Sequence, residues 1–289
     1  MTNADKLELQ MHNYTRKKGS TFSLLAYATS LFYVAVLGLS RIPEVHTDTA
    51  LNSEIIRLAT FNTEYWHDPE SELLEAADYV NQDFILFQEH LEKTETSYIA
   101  TDRISELSSA APGYYIGHYG EVVTLSRFEI IDSKHFGDGT ALRTDHLLPN
   151  GRLLSIYNIH FPVHIHLDLL ANLGDFLSDL TGLVGERSAL LKELKNDVSS
   201  NENMIVLAGD FNTSVAMNTN NWFAKNMSDA FAAPHCQRSY GTWGTSSLMS
   251  WRIDYIYSAN GALPAHYCVV DSRGISDHKM ILAKISIED

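Results

Sequence analysis

Three short polar motifs in the C-terminal half of the chain each adjoin an apolar, strand-like run. In order, they are Gly209-Asp210-Phe211-Asn212, Arg252-Ile253-Asp254-Tyr255-Ile256-Tyr257 and Ser276-Asp277-His278. A carboxylate such as Asp210 can accept a proton from water, and an amide such as Asn212 can donate hydrogen bonds to a phosphate oxygen. Together the three motifs predict a metal-dependent site that cleaves phosphoesters.

Asp254 and His278 form a second predicted pair in this site. Asp254 would orient His278 and stabilise its charge, so that the imidazolium faces the negative charge developing on phosphate. Asp277 would hold a divalent cation through its carboxylate. Each motif alone is more typical of a structural role, since Asp-Phe-Asn is commonly a turn closed by a side-chain-to-backbone bond. The presence of all three in one chain favours the catalytic interpretation.

Two upstream segments end in polar residues that suit a hard cation. The runs Ile56–Asn62 and Asp83–Glu89 are strand-like and end in an amide and a carboxylate. Mg²⁺ needs oxygen ligands and keeps several waters, so Glu89 with Asn62 nearby and a substrate phosphate would suffice. The alternative for Glu89 is an ordinary solvated carboxylate at a strand end.

A further strand-like run, Leu153–His160, delivers a histidine at its end. A single histidine is often structural, because backbone groups can hold an imidazole without any chemistry. The position of His160 directly after a buried strand favours a role in catalysis.

The segments that carry these residues indicate a buried sheet. Met204–Ala208 is a continuous apolar run of the kind covered on both faces, and side chains just past such a strand project into a cleft. Helical patterns at Glu70–Asn81 and Glu186–Asn196 alternate with strands, which favours an α/β class. Residues 54–289 are enough for one domain with a sizeable core.

From about Glu54 to the C-terminus the chain resembles the endonuclease/exonuclease/phosphatase superfamily. That family includes deoxyribonuclease I, exonuclease III, apurinic endonucleases, neutral sphingomyelinases and inositol polyphosphate 5-phosphatases. The resemblance implies a four-layer α/β sandwich, in which two mixed β-sheets pack face to face with helices outside. It also implies hydrolysis of a phosphoester with Mg²⁺, or with Mn²⁺ in its place.

The resemblance also implies a role for each candidate residue. The metal would lie at Asn62, Glu89 and Asp277. The catalytic residues would be His160, Asp210, Asn212, Asp254 and His278, with Asp254 paired to His278 and with Asp210 and Asn212 at the nucleophile and phosphate.

Two further transfers from the family concern substrate binding. Thr124–Arg127 resembles a Leu-Ser-Arg strand end of the family, which implies a phosphate or structural contact for Arg127. Tyr157 lies three residues before His160, where some family nucleases carry an active-site tyrosine. Alternation along a straight strand would, however, turn Tyr157 to the face opposite His160.

The N-terminal region predicts a membrane segment. Residues 21–39 carry no charge and are long enough to cross about 30 Å of hydrocarbon as a helix. Basic residues at 16–18 predict that residues 1–20 stay in the cytoplasm and that the catalytic domain, residues 54–289, is exported after a linker at 40–53. The alternative is a cleaved signal peptide, which would leave the protein secreted or periplasmic.

A leucine-rich segment follows the catalytic histidine candidate. Its apolar residues recur at spacings of three and four, which predicts an amphipathic helix, at Leu169, Leu173, Phe176, Leu180 and Leu183. Packing on the sheet is one interpretation, and a lid that faces lipid is the other, although interfacial helices usually carry Lys and Arg rather than aspartates. His164 and His166 could add a metal or phosphate contact.

Charge and cysteine usage narrow the function only in part. The formal net charge is −15, and no basic stripe is evident. Because proteins that hold many phosphates gain affinity by counterion release from Lys and Arg, tight processive binding to long duplex DNA is disfavoured. Cys236 and Cys268 could form a disulfide in an exported domain, and the sequence leaves their pairing open.

Three functions therefore fit the sequence. The first is a membrane-tethered, Mg²⁺-dependent phosphodiesterase of nuclease type that acts on nucleic acid. The second is the same chemistry on a phospholipid or an inositol phosphate, as in sphingomyelinase-like or inositol phosphatase-like relatives. The third is a catalytically silent binding module, which would be expected to have lost at least one of the polar positions named above.

Overall fold

The computed structural model describes residues 54–65, 70–93, 98–100, 103–163, 173–214, 220–236, 241–246, 249–272 and 274–287. These residues belong to a compact unit that runs from Glu44 to Asp289. The predicted membrane segment at 21–39, and likewise His164 and His166, lie outside the described residues. Among the helices formed by the described ranges, none has the length and apolar character needed to cross a membrane.

Strands make up most of the described secondary structure. In chain order they are β1 (Glu54–Asn62), β2 (Phe84–Gln88), β3 (Leu91–Lys93), β4 (Tyr98–Ala100), β5 (Tyr115–Tyr119), β6 (Val122–Ser126), β7 (Ile130–Phe136), β8 (Ala141–Leu147), β9 (Leu153–His160), β10 (Met204–Asp210), β11 (Ser228–Asp229), β12 (Trp243–Ser246), β13 (Met249–Trp251), β14 (Asp254–Ala259), β15 (Ala262–Val270) and β16 (Met280–Ile287). The helices are α1 (Glu70–Ala76), α2 (Ile104–Ala110), α3 (Leu173–Ser200) and α4 (Asn221–Asn226), with short 3-10 turns at Tyr79–Asn81 and Ala230–Ala232.

The strands form two six-stranded mixed sheets. The first has the order β15-β16-β1-β2-β6-β5, and the second has the order β11-β14-β10-β9-β8-β7. In the first sheet β1 and β2 run parallel, and in the second β9 and β10 run parallel, while their other neighbours are antiparallel. The prediction of two mixed sheets is confirmed.

The two sheets bury an apolar layer between them. Residues of β1 and β2, such as Leu58 and Leu86, form one cluster with residues of β9 and β10, such as Ile156 and Val206. Side chains alternate along each strand, so the intervening residues face outward. A second cluster on the outer face of the first sheet includes residues of α1 and α2, and a third on the outer face of the second sheet includes residues of α3.

The observed elements follow the sequence pattern closely, with one shortened helix. β9 has the predicted bounds Leu153–His160, and the Met204 run continues as strand to Asp210. The helix predicted over Glu70–Asn81 ends at Ala76, because Asp78 has φ 50 and starts a separate 3-10 turn. Such a left-handed residue cannot continue a right-handed helix.

The leucine-rich segment forms part of a long helix. α3 spans Leu173–Ser200 and therefore contains the predicted helix at 186–196. Leu183, from the predicted stripe, is buried, and Leu190 and Leu194 pack in the outer cluster of the second sheet. In this described part of the helix, the apolar face packs on the sheet.

Cys236 and Cys268 form a disulfide, which settles the pairing that the sequence left open. It joins the segment after the Ala230–Ala232 turn to β15, across a sequence separation of 32 residues. The backbone amide of Cys236 also donates a hydrogen bond to the carbonyl of Tyr267 at 3.1 Å. This covalent link therefore reinforces an existing contact at the edge of the first sheet.

Replacing both cysteines by serine is expected to lower the free energy of unfolding by roughly 3 kcal/mol, because the cross-link restricts the unfolded chain. Urea unfolding of the oxidised protein and the Cys236→Ser/Cys268→Ser variant would measure the difference. We expect kcat to stay unchanged, since the disulfide lies on an edge strand. An unchanged unfolding midpoint would contradict a stabilising role for the bond.

Candidate active site

The polar residues predicted from the sequence meet at one edge of the two sheets. Asn62 ends β1, Glu89 follows β2, His160 ends β9 and Asp210 ends β10. Because β1 with β2 and β9 with β10 are parallel pairs, each pair delivers its last residues to the same edge. Asp254 begins β14 and lies opposite Asp210 in the antiparallel register.

Asn62 connects the two sheets at this edge. Its Nδ2 donates hydrogen bonds to Glu89 Oε1 and to Asp210 Oδ2, both at 2.9 Å. The backbone amide of Glu64 donates to Asn62 Oδ1 at 2.9 Å, which holds the side-chain amide in this orientation. Asn62 is fully buried. The amide therefore fixes the distance between the carboxylate after β2 and the carboxylate that ends β10.

Asp210 is buried at the centre of the site. The backbone amide of Asn212 donates to its Oδ1 at 2.7 Å. Burial and the nearby Asp254 carboxylate raise the pKa of Asp210 to about 6, against the opposing effect of His278 and His160. The group is thus a stronger base than an exposed aspartate and is mostly ionised at neutral pH.

The residue before Asp210 must be glycine. Gly209 has φ +139, and a Cβ there would lie 1.9 Å from the carbonyl oxygen of Ile159 in the neighbouring strand. Any side chain would push β10 away from β9. Gly209 therefore keeps His160 and Asp210 at their observed separation.

His160 faces three carboxylates. Its Nδ1 lies 2.9 Å from Glu121 Oε1, and its Nε2 lies 3.6 Å from Glu89 Oε1 and 3.7 Å from Asp210 Oδ2. Burial alone lowers the pKa of His160, but Glu121, and then Asp210 and Glu89, raise it to about 10. The ring is an imidazolium at neutral pH, with its Nε2 directed into the site.

His278 makes the predicted pair with Asp254. Its Nδ1 lies 3.1 Å from Asp254 Oδ2, and its Nε2 lies 3.7 Å from Asp210 Oδ2. Burial alone lowers the pKa of His278, and Asp254, with Asp210 and Asp277, raises it to about 10. The backbone amide of His278 donates to Ser276 Oγ, which in turn donates to the carbonyl of Asn62. Two imidazolium Nε2 atoms therefore flank one carboxylate oxygen.

Asn212 lies beside the first of these histidines. Its Nδ2 donates to the carbonyl of Phe161 at 2.9 Å and lies 3.2 Å from His160 Nε2. Its backbone has φ 46, a left-handed conformation that asparagine tolerates better than most residues. The turn after β10 thus places an amide donor next to the imidazolium.

The oxygen-rich donors at this edge fit a hard divalent cation. Ligand atoms of Glu89, His160 and Asp210 lie within 4.8 Å of one another, as do those of Asp210, Asp254 and His278. Carboxylate oxygens are ligands that Mg²⁺ prefers, so Glu89 and Asp210 are a suitable pair. Asn62 presents its Nδ2 to both carboxylates, so its part as a metal ligand stays a prediction that requires its Oδ1 to turn toward the ion. The sequence analysis named Asn62, Glu89 and Asp277 as metal residues. The structure groups Glu89 with Asp210 instead of with Asp277.

Asp277 lies at the exposed margin of the site. Its Oδ2 accepts a hydrogen bond from Trp243 Nε1 at 2.7 Å, and its backbone amide donates to Glu64 Oε2 at 2.9 Å. Its Oδ1 lies 3.8 Å from His278 Nε2. The carboxylate is therefore near the second histidine, and its role as a metal ligand stays a prediction.

Tyr157 does not face the site, and its predicted contact with substrate is wrong. The side chain is fully buried, and its hydroxyl donates to Asp197 on α3 at 3.2 Å. Asn201 donates to the same hydroxyl at 2.9 Å. Strand alternation turns residue 157 to the outer face of the sheet, three positions from His160.

Arg127 lies at the other end of the first sheet, so a phosphate contact in this site is wrong and its role here is structural. Its backbone amide donates to the carbonyl of Asp83, directly before β2. Its guanidinium donates to the carbonyls of Gln82 and Val80 and lies 4.6 Å from the ring centroid of Tyr114. β6 runs antiparallel to β2, so its end lies beside the start of β2 and far from Glu89.

Glu121 is a site residue that the sequence analysis missed. It occupies the tight turn between β5 and β6, where its backbone amide donates to the carbonyl of Gly139 and its carbonyl accepts from His90. Nothing in the local sequence Tyr-Gly-Glu distinguishes it from an ordinary hairpin turn. Glu121 could have been identified as a partner of His160 only if the order of the strands in the sheets had been known.

Replacing Glu121 by glutamine is expected to lower kcat/KM by roughly 10-fold, as for other residues that orient a functional histidine. Glu121 raises the pKa of His160, so its loss should shift the alkaline limb of the pH–rate profile to lower pH. A full pH profile of Glu121→Gln beside wild type would show this. Loss of activity at all pH values with no shift of the limb would contradict electrostatic control of His160.

A buried amide network positions the two sheets behind the site. Gln88 Nε2 donates to Asn158 Oδ1 at 2.7 Å, and Asn158 Nδ2 donates to the carbonyls of Val123 and Phe87 at 2.8 and 3.1 Å. Gln88 precedes Glu89 and Asn158 lies two residues before His160. The network therefore sets the position of both site residues across the sheet interface.

Comparison with known proteins agrees with this geometry. Residues 59–278 match the model of the Endonuclease/Exonuclease/phosphatase family. Among curated proteins, none matches the chain in sequence.

Solved structures share the fold at low sequence identity. An endonuclease/exonuclease/phosphatase from Bacteroides vulgatus is 18% identical, covers 81% of this chain and 100% of its own, and has a TM-score of 0.61. A mannosyl-6-phosphatase from Bacteroides thetaiotaomicron is 15% identical, with coverages of 80% and 99% and a TM-score of 0.56. A 3′ phosphatase from Neisseria is 16% identical, with coverages of 79% and 98% and a TM-score of 0.55.

The family model spans most of the chain, and its matched residues run from β1 to His278. They include the strand ends that carry Asn62, Glu89, His160, Asp210 and Asp254. The protein therefore belongs to the endonuclease/exonuclease/phosphatase family.

Proposed function

We propose that residues 54–289 form a divalent-metal-dependent phosphodiester hydrolase of nuclease type. The observation that carries the proposal is the environment of Asp210 Oδ2. This atom accepts a hydrogen bond from Asn62 and lies 3.7 Å from the Nε2 atoms of both His160 and His278. A base flanked by two cations at a sheet edge suits attack of water on a phosphoester.

Each group in the site has a distinct part in this reaction. Asp210 accepts a proton from water as the water oxygen forms a bond to phosphorus and the bond to the leaving oxygen breaks, and the leaving oxygen takes up a proton from solvent. His160 and His278 face the negative charge that grows on the phosphoryl oxygens. Asn212 donates a hydrogen bond to one of those oxygens. Asp254 keeps His278 charged and oriented through its Nδ1.

A divalent cation would be held by Glu89, with Asp210 close by and Asp277 at the margin. Asn62 would join as a ligand if its side-chain amide turned its Oδ1 toward the ion, and in the observed orientation its Nδ2 positions the two carboxylates. When bound, such an ion neutralises charge on the phosphoryl oxygens. Mg²⁺ suits this donor set, and Mn²⁺ accepts the same oxygen ligands.

The nature of the substrate is the finer part of the proposal. The solved structure of the Neisseria 3′ phosphatase holds a product DNA hairpin, which supports a nucleic acid substrate. The mannosyl-6-phosphatase points instead to a small phosphoester. The formal net charge of −15 disfavours tight, processive binding to long duplex DNA, and it is compatible both with transient cleavage of nucleic acid and with the small phosphoester. We group phospholipids and inositol phosphates with this second class, which comprises phosphoesters other than nucleic acids.

Export and membrane tethering complete the proposal. The uncharged segment at residues 21–39, preceded by basic residues at 16–18, supports an anchor with the catalytic domain outside the cytoplasm. The disulfide between Cys236 and Cys268 suits an oxidising compartment. Cleavage of the same segment as a signal peptide would give a secreted or periplasmic enzyme.

A substrate panel with the full chain tests the proposal. We would incubate the protein and its Asp210→Asn variant with Mg²⁺ and supercoiled plasmid, single-stranded DNA, RNA, sphingomyelin vesicles, inositol phosphates and mannose 6-phosphate. Cleavage of DNA or RNA by the wild-type protein but not by Asp210→Asn would establish a nuclease. Turnover of only the lipid or small phosphoesters would establish the second class. No turnover of any substrate would favour a catalytically silent binding module.

A further inference from the structure

A row of basic residues crosses the outer face of the first sheet, away from the active site. Arg57 on β1 pairs with Lys284 on β16, and Lys284 pairs with His266 on β15. On the other side of Arg57, the acidic residue Asp83 comes next, and the basic residue Arg127 follows it. Backbone hydrogen bonds link Asp83 to Arg57 and Arg127 to Asp83. Like charges directly opposite each other in a sheet are destabilising. Arg57 and Lys284 therefore repel each other, and the nearest carboxylate is that of Asp83, beside Arg57.

The charges of this row are only weakly neutralised. The Arg57 side chain is half exposed, and its nearest carboxylate oxygen, on Asp83, is 3.9 Å away. That oxygen already accepts a hydrogen bond from the backbone amide of Arg57 at 2.8 Å. Lys284 is exposed and forms no ion pair with any residue that the structure describes. Three permanent cations, Arg57, Arg127 and Lys284, thus lie near two carboxylates, Asp78 and Asp83, which is a small local excess of positive charge in a chain with a formal net charge of −15.

The protonation of His266 responds to its basic neighbours. Burial and Lys284, together with His235, lower the pKa of His266. The same positive charge that disfavours protonation of His266 would attract an anion to this surface.

Arg57, Arg127, His266 and Lys284 line a cleft, together with the carboxylates of Asp78 and Asp83. The cleft has a volume of about 570 Å³, and Val80, Asn81 and Gln82 form one of its walls. That volume lies within the range of small-molecule sites, roughly 300 to 1,000 Å³. Arg127 completes the wall, where its guanidinium is already held by backbone carbonyls of this segment. The cleft can therefore enclose a ligand of several heavy atoms.

The cleft is separate from the catalytic edge. Arg57 lies five positions before Asn62 in the same strand, a distance of roughly 16 Å along an extended chain. A single phosphate group cannot contact both places at once.

We propose that this cleft is a second anion site, which binds a phosphate-bearing ligand between Arg57, Lys284 and Arg127. A guanidinium matches two phosphate oxygens at once, and an ammonium adds a point charge. The ligand could be the headgroup of an anionic phospholipid or a soluble phosphorylated molecule, since both present the same group. The site does not depend on the chemistry proposed at Asp210.

Acetylation of Lys284 in the full chain tests the proposal at the site itself. Mass spectrometry would follow the reaction of each lysine with an acetylating reagent, with and without inorganic pyrophosphate. At a ligand concentration of about ten times Kd, we expect the rate at Lys284 to fall about 10-fold, because only free protein reacts. Lys192 and Lys225, which are exposed elsewhere, should react at unchanged rates.

A second arm distinguishes the sources of the phosphate. The full chain would be reconstituted in vesicles of phosphatidylcholine, with or without phosphatidylglycerol. Protection of Lys284 by phosphatidylglycerol would identify a lipid headgroup, and protection by pyrophosphate alone would identify a soluble ligand. Both results support the site, whereas equal labelling of Lys284 under all conditions would overturn it.

Matched variants separate this site from the active site. In Arg57→Gln, the protection of Lys284 by pyrophosphate should be lost, while kcat on a soluble substrate should stay unchanged. Lys225→Gln removes the same charge from a helix surface and should retain full protection. Equal protection in Arg57→Gln and wild type would overturn the proposed ligand contact.

Discussion

Replacing Asp210 by asparagine is expected to lower kcat about 1,000-fold, the middle of the range for loss of a general base. Asparagine keeps the size of the side chain and can still contact Asn62, but it cannot accept a proton from water. Steady-state kinetics on whichever substrate the panel identifies would measure the loss. Asp138→Asn, at an exposed aspartate in the turn between β7 and β8, is the matched control and should keep full activity.

The same substitution makes a prediction about stability. The pKa of Asp210 is raised on folding, from 3.8 to about 6, so the folded protein binds more protons than the unfolded chain between these values. Stability from this group is therefore full below pH 3.8 and is lost as pH rises through about 6. In metal-free protein, Asp210→Asn should remove this contribution and leave the fold intact.

Retention of more than a tenth of kcat in the folded variant would exclude Asp210 as the base.

Removal of divalent metal is expected to abolish turnover, and addition of Mg²⁺ or Mn²⁺ is expected to restore it. The physical reason is the cluster of acidic groups around Asp210, which would repel an anionic phosphoester without a cation to neutralise them. Activity after dialysis against excess EDTA, followed by titration with each metal, would measure the effect. Full activity in EDTA, with no tightly held metal in elemental analysis, would contradict the metal-dependent mechanism.

A ligand variant connects this metal requirement to a particular residue. Glu89→Gln removes one negative charge from the proposed metal site and keeps the shape of the side chain. We expect the Mg²⁺ concentration for half-maximal activity to rise more than about 10-fold. Binding of Mn²⁺ measured by electron paramagnetic resonance should weaken in parallel, which is a readout independent of activity. Glu202→Gln, at an exposed glutamate in the loop between α3 and β10, should change neither quantity.

The residues at the ends of strands could be identified from the sequence. Asn62, His160 and Asp210 each close a strand-like run, and the structure ends β1, β9 and β10 at these residues. Because the period of a strand is local, an apolar run specifies its own ends and its buried faces. The same reasoning also indicated that Tyr157 faces away from His160, and its hydroxyl indeed contacts α3.

Contacts between distant segments could not be obtained in this way. Glu121 reaches His160 because β5 and β6 form the far side of the first sheet, and its own sequence is that of a plain turn. Arg127 ended a promising motif, yet the antiparallel pairing of β6 with β2 carries it to the opposite end of the sheet from Glu89. The direction and order of strands in a sheet are set by packing of the whole chain.

The sequence by itself determined the strand ends through local periodicity, and its motifs in a definite order carried the family resemblance, which in turn implied two mixed sheets. Only the tertiary structure decided which partners hold each group. It joined Cys236 to Cys268, and it aligned Arg57 with Lys284 in a basic row that their separation of more than two hundred residues conceals. Strand register brings such residues together, and register is specified by burial across the entire sheet.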